Sequence, residues 1–140
     1  MSVRLPARIL IVEDTVQFAE LVQVALRSLD AEICHVLLAS AALTVIEQFR
    51  PDLVLLDIGL PDMDGWHLLE LLREGPCLKG AAEPAIVVMT AYGDAANRLI
   101  GKLQGVDGYL VKPCSLNEIR GAVAEALHLF DTVELTDPRA

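Results

Sequence analysis

The sequence predicts an α/β fold built on a parallel sheet, and three observations carry that prediction. Five short β-branched or leucine-rich runs alternate with five longer stretches of helical period. The third and fourth runs, residues 53–56 and 85–89, are apolar at every position, as strands covered on both faces should be. The chain's 140 residues, 54% hydrophobic and 22% charged, suit one domain with a genuine core.

The first strand is read at residues 8–12. Helix one follows with Phe18, Leu21, Val22, Ala25 and Leu29 at helical spacing, and Asp14 with Gln17 offers a capping pair. Residues 32–37 form the second strand. Helix two carries Ala42, Val45, Ile46 and Phe49, and Pro51 stops it. Residues 53–56 are strand three, after which helix three starts past Asp64 and Gly65 and ends near Gly75 and Pro76. Residues 85–89 are strand four. Helix four shows Ala96, Leu99, Ile100 and Leu103 but contains Gly101, which costs about 1 kcal/mol relative to alanine, so it is expected to be the least robust helix. Residues 108–111 are strand five. Helix five opens on Ser115 and Glu118 as a capping box and runs through Leu116, Ile119, Val123, Leu127 and Phe130, its period continuing toward Val133. No internal repeat or low-complexity segment interrupts the pattern, and residues 136–140 read as a frayed tail.

Composition excludes several classes. No apolar run approaches the roughly 18 residues that span a bilayer, even at a mean hydropathy of +0.46. The N-terminus, MSVRLPARILIVED, lacks the hydrophobic region and cleavage site of a signal peptide, so a cytoplasmic location is expected. Cys34, Cys77 and Cys114 are odd in number and not spaced for zinc, which makes them reduced thiols. The net charge is −9 and the eleven bases are scattered rather than striped, which argues against direct nucleic-acid binding by this segment. The acidity itself names no substrate, but it allows carboxylates to be gathered where a cation holds them.

In an open parallel sheet, ligands bind outside the carboxyl ends of the strands, so the residues that follow each strand are informative. Strand one runs into Glu13 and Asp14, strand three into Asp57, strand four into Thr90, and strand five into Lys112 and Pro113. With strands one and three adjacent, three carboxylates converge, and their repulsion calls for a cation. Mg2+ suits them because it takes a few carboxylates, keeps several waters and leaves positions open for phosphate oxygens. Lys112 adds a point charge and Thr90 a neutral hydroxyl. Together these groups form a phosphoryl-transfer site with Asp57, alone at the end of the central apolar strand, as nucleophile. Each residue taken singly has an ordinary explanation: Asp14 a helix cap, Asp57 a loop starter, Thr90 a buried strand hydroxyl, Lys112–Pro113 a turn. Their conjunction at the ends of four strands does not.

Other motifs fail. There is no Walker A sequence and no GxGxxG after a strand. Asp62, Asp64 and Gly65 imitate part of a calcium loop, but Leu60 and Leu71 stand where its first ligand and closing glutamate belong. His35, His67 and His128 are dispersed and read as solvated or core histidines.

At these residues the chain resembles the receiver domain of two-component response regulators. The likeness spans residues 7–130 and rests on ILIVEDT, LVLLDIGLPDMDGW, VVMTAYGD and GYLVKP taken together. It implies a flavodoxin-like (βα)5 doubly wound sheet of order 2-1-3-4-5, with residues 1–6 an N-terminal extension and 131–140 a tail or the start of a linker. It implies Asp57 as phosphoacceptor, Mg2+ held by Glu13, Asp14, Asp57 and the Gly59 carbonyl, Lys112 as the phosphoryl-binding base, and a cis peptide before Pro113. Thr90 and Tyr109 become a switch pair, and Gly59 and Tyr92 tune turnover. The implied partners are a histidine kinase or histidine phosphotransfer protein, and an output domain or protein on the face of helix four, strand five and helix five, where a homodimer can also form. Only self-directed phosphotransfer and autodephosphorylation are then expected. Two alternatives remain open: a Mg2+-dependent phosphatase acting on external substrates, and a phosphorylation-independent docking domain of the same fold.

Overall fold

A computed structural model describes residues 5–74 and 83–128. The elements alternate throughout: β1 (Ala7–Val12), α1 (Val16–Ala25), β2 (Ala31–Val36), α2 (Ala39–Phe49), β3 (Leu53–Leu56), α3 (Gly65–Glu74), β4 (Ala85–Thr90), α4 (Ala95–Gln104), β5 (Gly108–Val111) and α5 (Leu116–Ala126). All strand pairs are parallel and the sheet order is β2-β1-β3-β4-β5. The chain reverses direction across the sheet between β1 and β3, so their carboxyl ends frame a crevice.

Strand side chains alternate between the two faces, and this alternation splits the core. Ile9, Ile11, Leu53, Leu55, Val87 and Met89 pack with Ala19, Val22 and Ala25 of α1 and Ile119 and Val123 of α5. Leu10, Val12, Val54, Leu56, Ile86 and Val88 point the other way, onto Ala42 and Ile46 of α2 and Leu68, Leu69 and Leu72 of α3. All four residues of β3 are buried because the strand is central and covered on both sides.

Helix ends show where local signals held. The Ser115–Glu118 capping box is formed reciprocally. At α2, Arg50 takes a left-handed φ of 49° and Pro51 follows, which closes the helix. The Asp14–Gln17 capping pair is a correction. Thr15 is the residue before α1 and makes no side-chain cap, while Asp14 is exposed one position too early; the Thr15 N–H is taken by Glu13 Oε2 at 3.0 Å. Helix α2 begins after Leu38, which has no capping group, and Asp62 supplies one from a distant loop by accepting from the Ala39 and Ser40 N–H groups at 3.0 and 3.1 Å. The false calcium motif therefore holds a helix terminus.

The stripe read on α4 needs a second correction. Leu99 and Leu103 are 56% and 77% exposed, and Gly101 is the one buried residue of the helix. Helix α3 begins at Gly65 itself, after Asp64, whose Oδ1 accepts from the Trp66 N–H at 3.0 Å, and position 65 abuts the Asp57–Ile58 backbone: an added Cβ would lie 2.4 Å from Ile58 Cα and 2.8 Å from the Asp57 carbonyl oxygen. Strands β1 and β4 are each one residue longer than expected, and β2 lies one residue earlier at both ends. The expected end of helix three at Gly75 and Pro76, the continuation of helix five to Phe130 and Val133, Cys77, and the tail at residues 136–140 lie outside the described residues. Cys34 and Cys114 are free and half-buried, and burial pushes both thiols up.

Candidate functional site

Every residue expected at a strand end sits on the same edge of the sheet. Ile11–Val12 of β1 pairs with Leu55–Leu56 of β3, so Glu13 and Asp57 leave adjacent strands side by side. Met89 and Thr90 pair with Leu110 and Val111, which brings Lys112 to the same level. The topology thus places residues 13, 57, 90 and 112 together although 99 positions separate the first from the last.

Lys112 Nζ donates to Glu13 Oε1 at 2.6 Å and to Asp57 Oδ2 at 3.1 Å. Glu13 is fully buried and Asp57 nearly so. The remaining oxygens are held by backbone: Thr15 N–H on Glu13 Oε2 at 3.0 Å and Gly59 N–H on Asp57 Oδ1 at 2.9 Å. Burial pushes the Glu13 carboxyl up, and the Lys112 and Thr15 hydrogen bonds only partly oppose it. Burial pulls the Lys112 ammonium down, but its hydrogen bond to Glu13 and the charge of Asp57 outweigh it and leave the group above its ordinary value. The Lys112–Pro113 peptide is cis.

Asp14 completes the constellation. Glu13, Asp14 and Asp57 each offer an oxygen, all within 4.8 Å of one another, with Asp14 on the solvent side and Glu13 inside. An oxygen-only set of two or three carboxylates with an open outer side fits a hard divalent cation that keeps several waters. It does not fit a closed zinc centre.

The rest of the rim is built from β4 and β5. The Thr90 hydroxyl oxygen accepts from the Tyr92 N–H at 3.1 Å, so its own proton remains available to another acceptor. Tyr109 donates its hydroxyl to the Tyr92 carbonyl, and Arg98 lies over the Tyr109 ring at 5.3 Å. The Tyr92 ring is half-exposed and lies where a Cβ at position 59 would be, 3.1 Å from its Cε2; that same Cβ would be 3.6 Å from Asp57 Oδ1. Gly59 therefore leaves room for the ring beside the carboxylate.

Three neighbours were not legible as site residues. The Phe18 ring lies 4.5 Å from Lys112 Nζ, a cation–π contact, yet its helical spacing marked it only as core. His35 Nε2 is 2.8 Å from the Glu13 carbonyl oxygen, brought there by the β1–β2 register rather than by any motif. Trp66 donates its indole N–H to Asn97 Oδ1 at 3.0 Å, tying α3 to the first turn of α4. No local pattern announces a pair 31 positions apart.

The arrangement offers a buried carboxylate held against an ammonium, with further carboxylates for a cation and a hydroxyl donor nearby, which is the equipment of phosphoryl transfer. Residues 9–124 match the response regulator receiver domain family. The DNA-binding response regulator MtrA of Mycobacterium tuberculosis (strain H37Rv) is 33% identical over 124 residues, covering 89% of this chain and 52% of that protein. The transcriptional regulatory protein TcrX of the same organism is 36% identical over 115 residues, covering 81% and 47%. The chain spans about half the length of these curated relatives. Among solved structures, a CheY-like response regulator receiver domain protein from Methanospirillum hungatei JF-1 superposes with a TM-score of 0.75 at 26% identity, covering 91% of this chain and 98% of that one. The Mn(2+)-bound form of response regulator Rcp1 superposes with a TM-score of 0.71 at 27% identity, covering 85% and 93%. On sequence and topology alike, the chain belongs to the response regulator receiver domain family.

Proposed function

We propose that residues 7–130 act as a phosphorylation-controlled switch: Asp57 accepts a phosphoryl group from a histidine kinase or a histidine phosphotransfer protein, and the face formed by α4, β5 and α5 changes in response. The observation that carries this reading is the Asp57 carboxylate, held between the Lys112 ammonium and the Gly59 N–H beside two further carboxylates. An Asp57 oxygen attacks phosphorus as the phosphorus–nitrogen bond of the donor histidine breaks, and the imidazole leaves with the bonding pair. Lys112 offsets the charge on the phosphoryl oxygens, and the Thr90 hydroxyl donates to one of them. Glu13, Asp14, Asp57 and the Gly59 carbonyl would hold Mg2+, which when bound would further neutralise those oxygens.

Thr90 leaves its contact with the Tyr92 N–H as it turns to the phosphoryl group, and Tyr109 then turns inward. Exposed Leu99, Leu103 and Leu116 lie on elements of the face that an output domain, an output protein or a second copy would meet. The donor protein approaches the sheet edge, where Val16 and Leu116 are exposed at the starts of α1 and α5. The net charge of −9 and the scattered bases support placing nucleic-acid contact outside this segment. No helix among the described residues is long and apolar enough to cross a membrane, and the cytoplasm is the proposed location. Gly59 and Tyr92 tune turnover, which is limited to loss of the protein's own phosphoryl group; a phosphatase acting on external substrates would need a second acid for proton transfer.

Intact-mass measurement after incubation with acetyl phosphate and Mg2+ tests the acceptor. Wild type should gain one hydroxylamine-labile phosphoryl group and Asp57→Asn none; equal modification of both removes Asp57 from the role. Sustained hydrolysis of a general phosphatase substrate would favour the enzyme reading instead.

A further inference from the structure

Little apolar packing decides where α4 sits. Leu99 and Leu103 face solvent, Gly101 is its one buried residue, and a 260 Å³ cavity lined by Arg98, Gly101, Val106, Gly108 and Tyr109, among others, lies beside it. Ile100 contributes a partly buried contact to the core. The ties from α3 are polar and lie at the two ends of the helix: Trp66 Nε1 to Asn97 Oδ1 at 3.0 Å, and Arg73 Nη1 to the Gln104 carbonyl.

The first tie joins two parts of the acceptor site. Trp66 follows Gly65, which is wedged against the Asp57–Ile58 backbone and donates its N–H to the Ile58 carbonyl at 3.0 Å. The Trp66 N–H is held by Asp64 Oδ1 at 3.0 Å and its ring is buried, so the indole cannot follow a moving partner. Asn97 donates its backbone N–H and its side-chain amide to Asp94 at 3.2 and 2.9 Å. Asp94 ends the short segment that begins at Thr90 and carries Tyr92. A Thr90 hydroxyl drawn toward a phosphoryl group on Asp57 gives up the Tyr92 N–H, and the freed segment then allows Asp94 to carry Asn97 off the indole.

We infer that the Trp66–Asn97 hydrogen bond is a latch that holds α4 in its resting position, making Trp66 and Asn97 positioning residues that set how readily the acceptor site switches. This rests on Asp57 being the acceptor. The latch is broken, or lengthened beyond hydrogen-bonding distance, in the switched state, and its net worth opposes switching.

Beryllofluoride with Mg2+, a mimic of the acyl phosphate, separates the two readings when titrated calorimetrically into the full chain. Trp66→Phe keeps the ring and loses the donor; Asn97→Ala loses the acceptor and keeps the fluorophore, since Trp66 is the chain's only tryptophan. Each variant should bind beryllofluoride about two- to tenfold more tightly than wild type, the factor a single net hydrogen bond supplies. The double variant should gain no more than the better single one, because both remove the same contact. Beryllofluoride should shift the wild-type Trp66 emission, and ligand-free Asn97→Ala should already show the shifted spectrum. Wild-type affinity in both single variants, weaker binding in both, or fully additive gains would overturn the latch. If Trp66→Phe does not fold, Asn97→Ala decides alone by affinity and emission. A wild-type protein that binds no beryllofluoride, or an Asp57→Asn variant that binds it equally, overturns the acceptor reading and the latch with it.

Discussion

Replacing Lys112 with methionine keeps most of the side chain's length and removes its charge. The ammonium is the described cation that meets both Glu13 Oε1, at 2.6 Å, and Asp57 Oδ2, at 3.1 Å. Without it, a fully buried carboxylate and a nearly buried one face each other. Breaking a buried pair by deleting one partner costs about 3–5 kcal/mol, and because 19% of the Lys112 side chain reaches water the lower end, about 3 kcal/mol, applies. With a urea m-value of about 2 kcal/mol per molar, the unfolding midpoint of Lys112→Met should fall by about 1.5 M near neutral pH without divalent cation. The pH dependence follows from Glu13, whose carboxyl burial already pushes up. An acid whose folded pKa stands above its unfolded value binds more protons folded than unfolded between the two, so stability falls as pH rises through that window. Losing Lys112 raises it further, and the deficit of the variant should shrink at mildly acidic pH as Glu13 takes a proton. In wild type, the raised Lys112 contributes stability fully below its ordinary value of 10.5 and loses it above that value. Mg2+ should narrow the deficit as well, by compensating the same carboxylates. Urea titrations at both pH values, with and without Mg2+, read all of this. Equal midpoints near neutral pH, or a deficit that acid does not reduce, would refute the argument that the ammonium compensates buried charge.

Tyr92→Ala uncovers the space beside Asp57 Oδ1, and Gly59→Asn puts an amide there by pushing the ring end aside from its 3.1 Å approach. Both should shorten the lifetime of the phosphorylated state, by up to about tenfold, or ~1.4 kcal/mol of barrier, measured as decay after donor removal; slower decay in both would sink the shielding idea. Gly65→Ala drives a Cβ to 2.4 Å from Ile58 Cα and 2.8 Å from the Asp57 carbonyl, both backbone atoms that cannot rotate away. It should destabilise by about 2–3 kcal/mol by urea titration and slow acetyl-phosphate labelling, and wild-type values in both assays would show that α3 can recede without cost. Asp62→Ala removes the remote cap of α2. The Asp62 pKa is lowered by the Ala39 and Ser40 N–H groups, so its contribution is full above its ordinary 3.8 and lost as pH falls through the lowered value. Thermal melts of the two proteins should therefore differ at neutral pH and converge in acid, and a constant difference would assign the effect to something other than the carboxylate.

Much of the fold was legible because its signals are local. Continuous apolar runs marked β3 and β4, residues at helical spacing marked the helices, and Ser115 with Glu118 announced an end that forms as read. At the entrance of α1 the misreading was of one position, since the carboxylate that takes a backbone N–H is Glu13 rather than Asp14, whereas the cap of α2 comes from Asp62, 23 positions away, where no local signal announces it. The apolar residues of α4 repeat at helical spacing, but periodicity reports that a stripe exists and not what covers it, and Leu99 and Leu103 face water.

The same division runs through the candidate site. The amino-acid order by itself determined the residue types and their strand-end positions: Glu13, Asp14, Asp57, Thr90 and Lys112 each follow or end a strand, and a parallel α/β sheet puts all such positions on one edge. Only the tertiary structure decided who touches whom. The parallel register sets Lys112 between Glu13 and Asp57, slides the Phe18 ring to 4.5 Å from that ammonium, and brings Trp66 to Asn97. Periodicity and capping act over one or two turns of chain, whereas those contacts join residues 31 to 99 positions apart, and their distances exist only once the sheet has closed the chain upon itself.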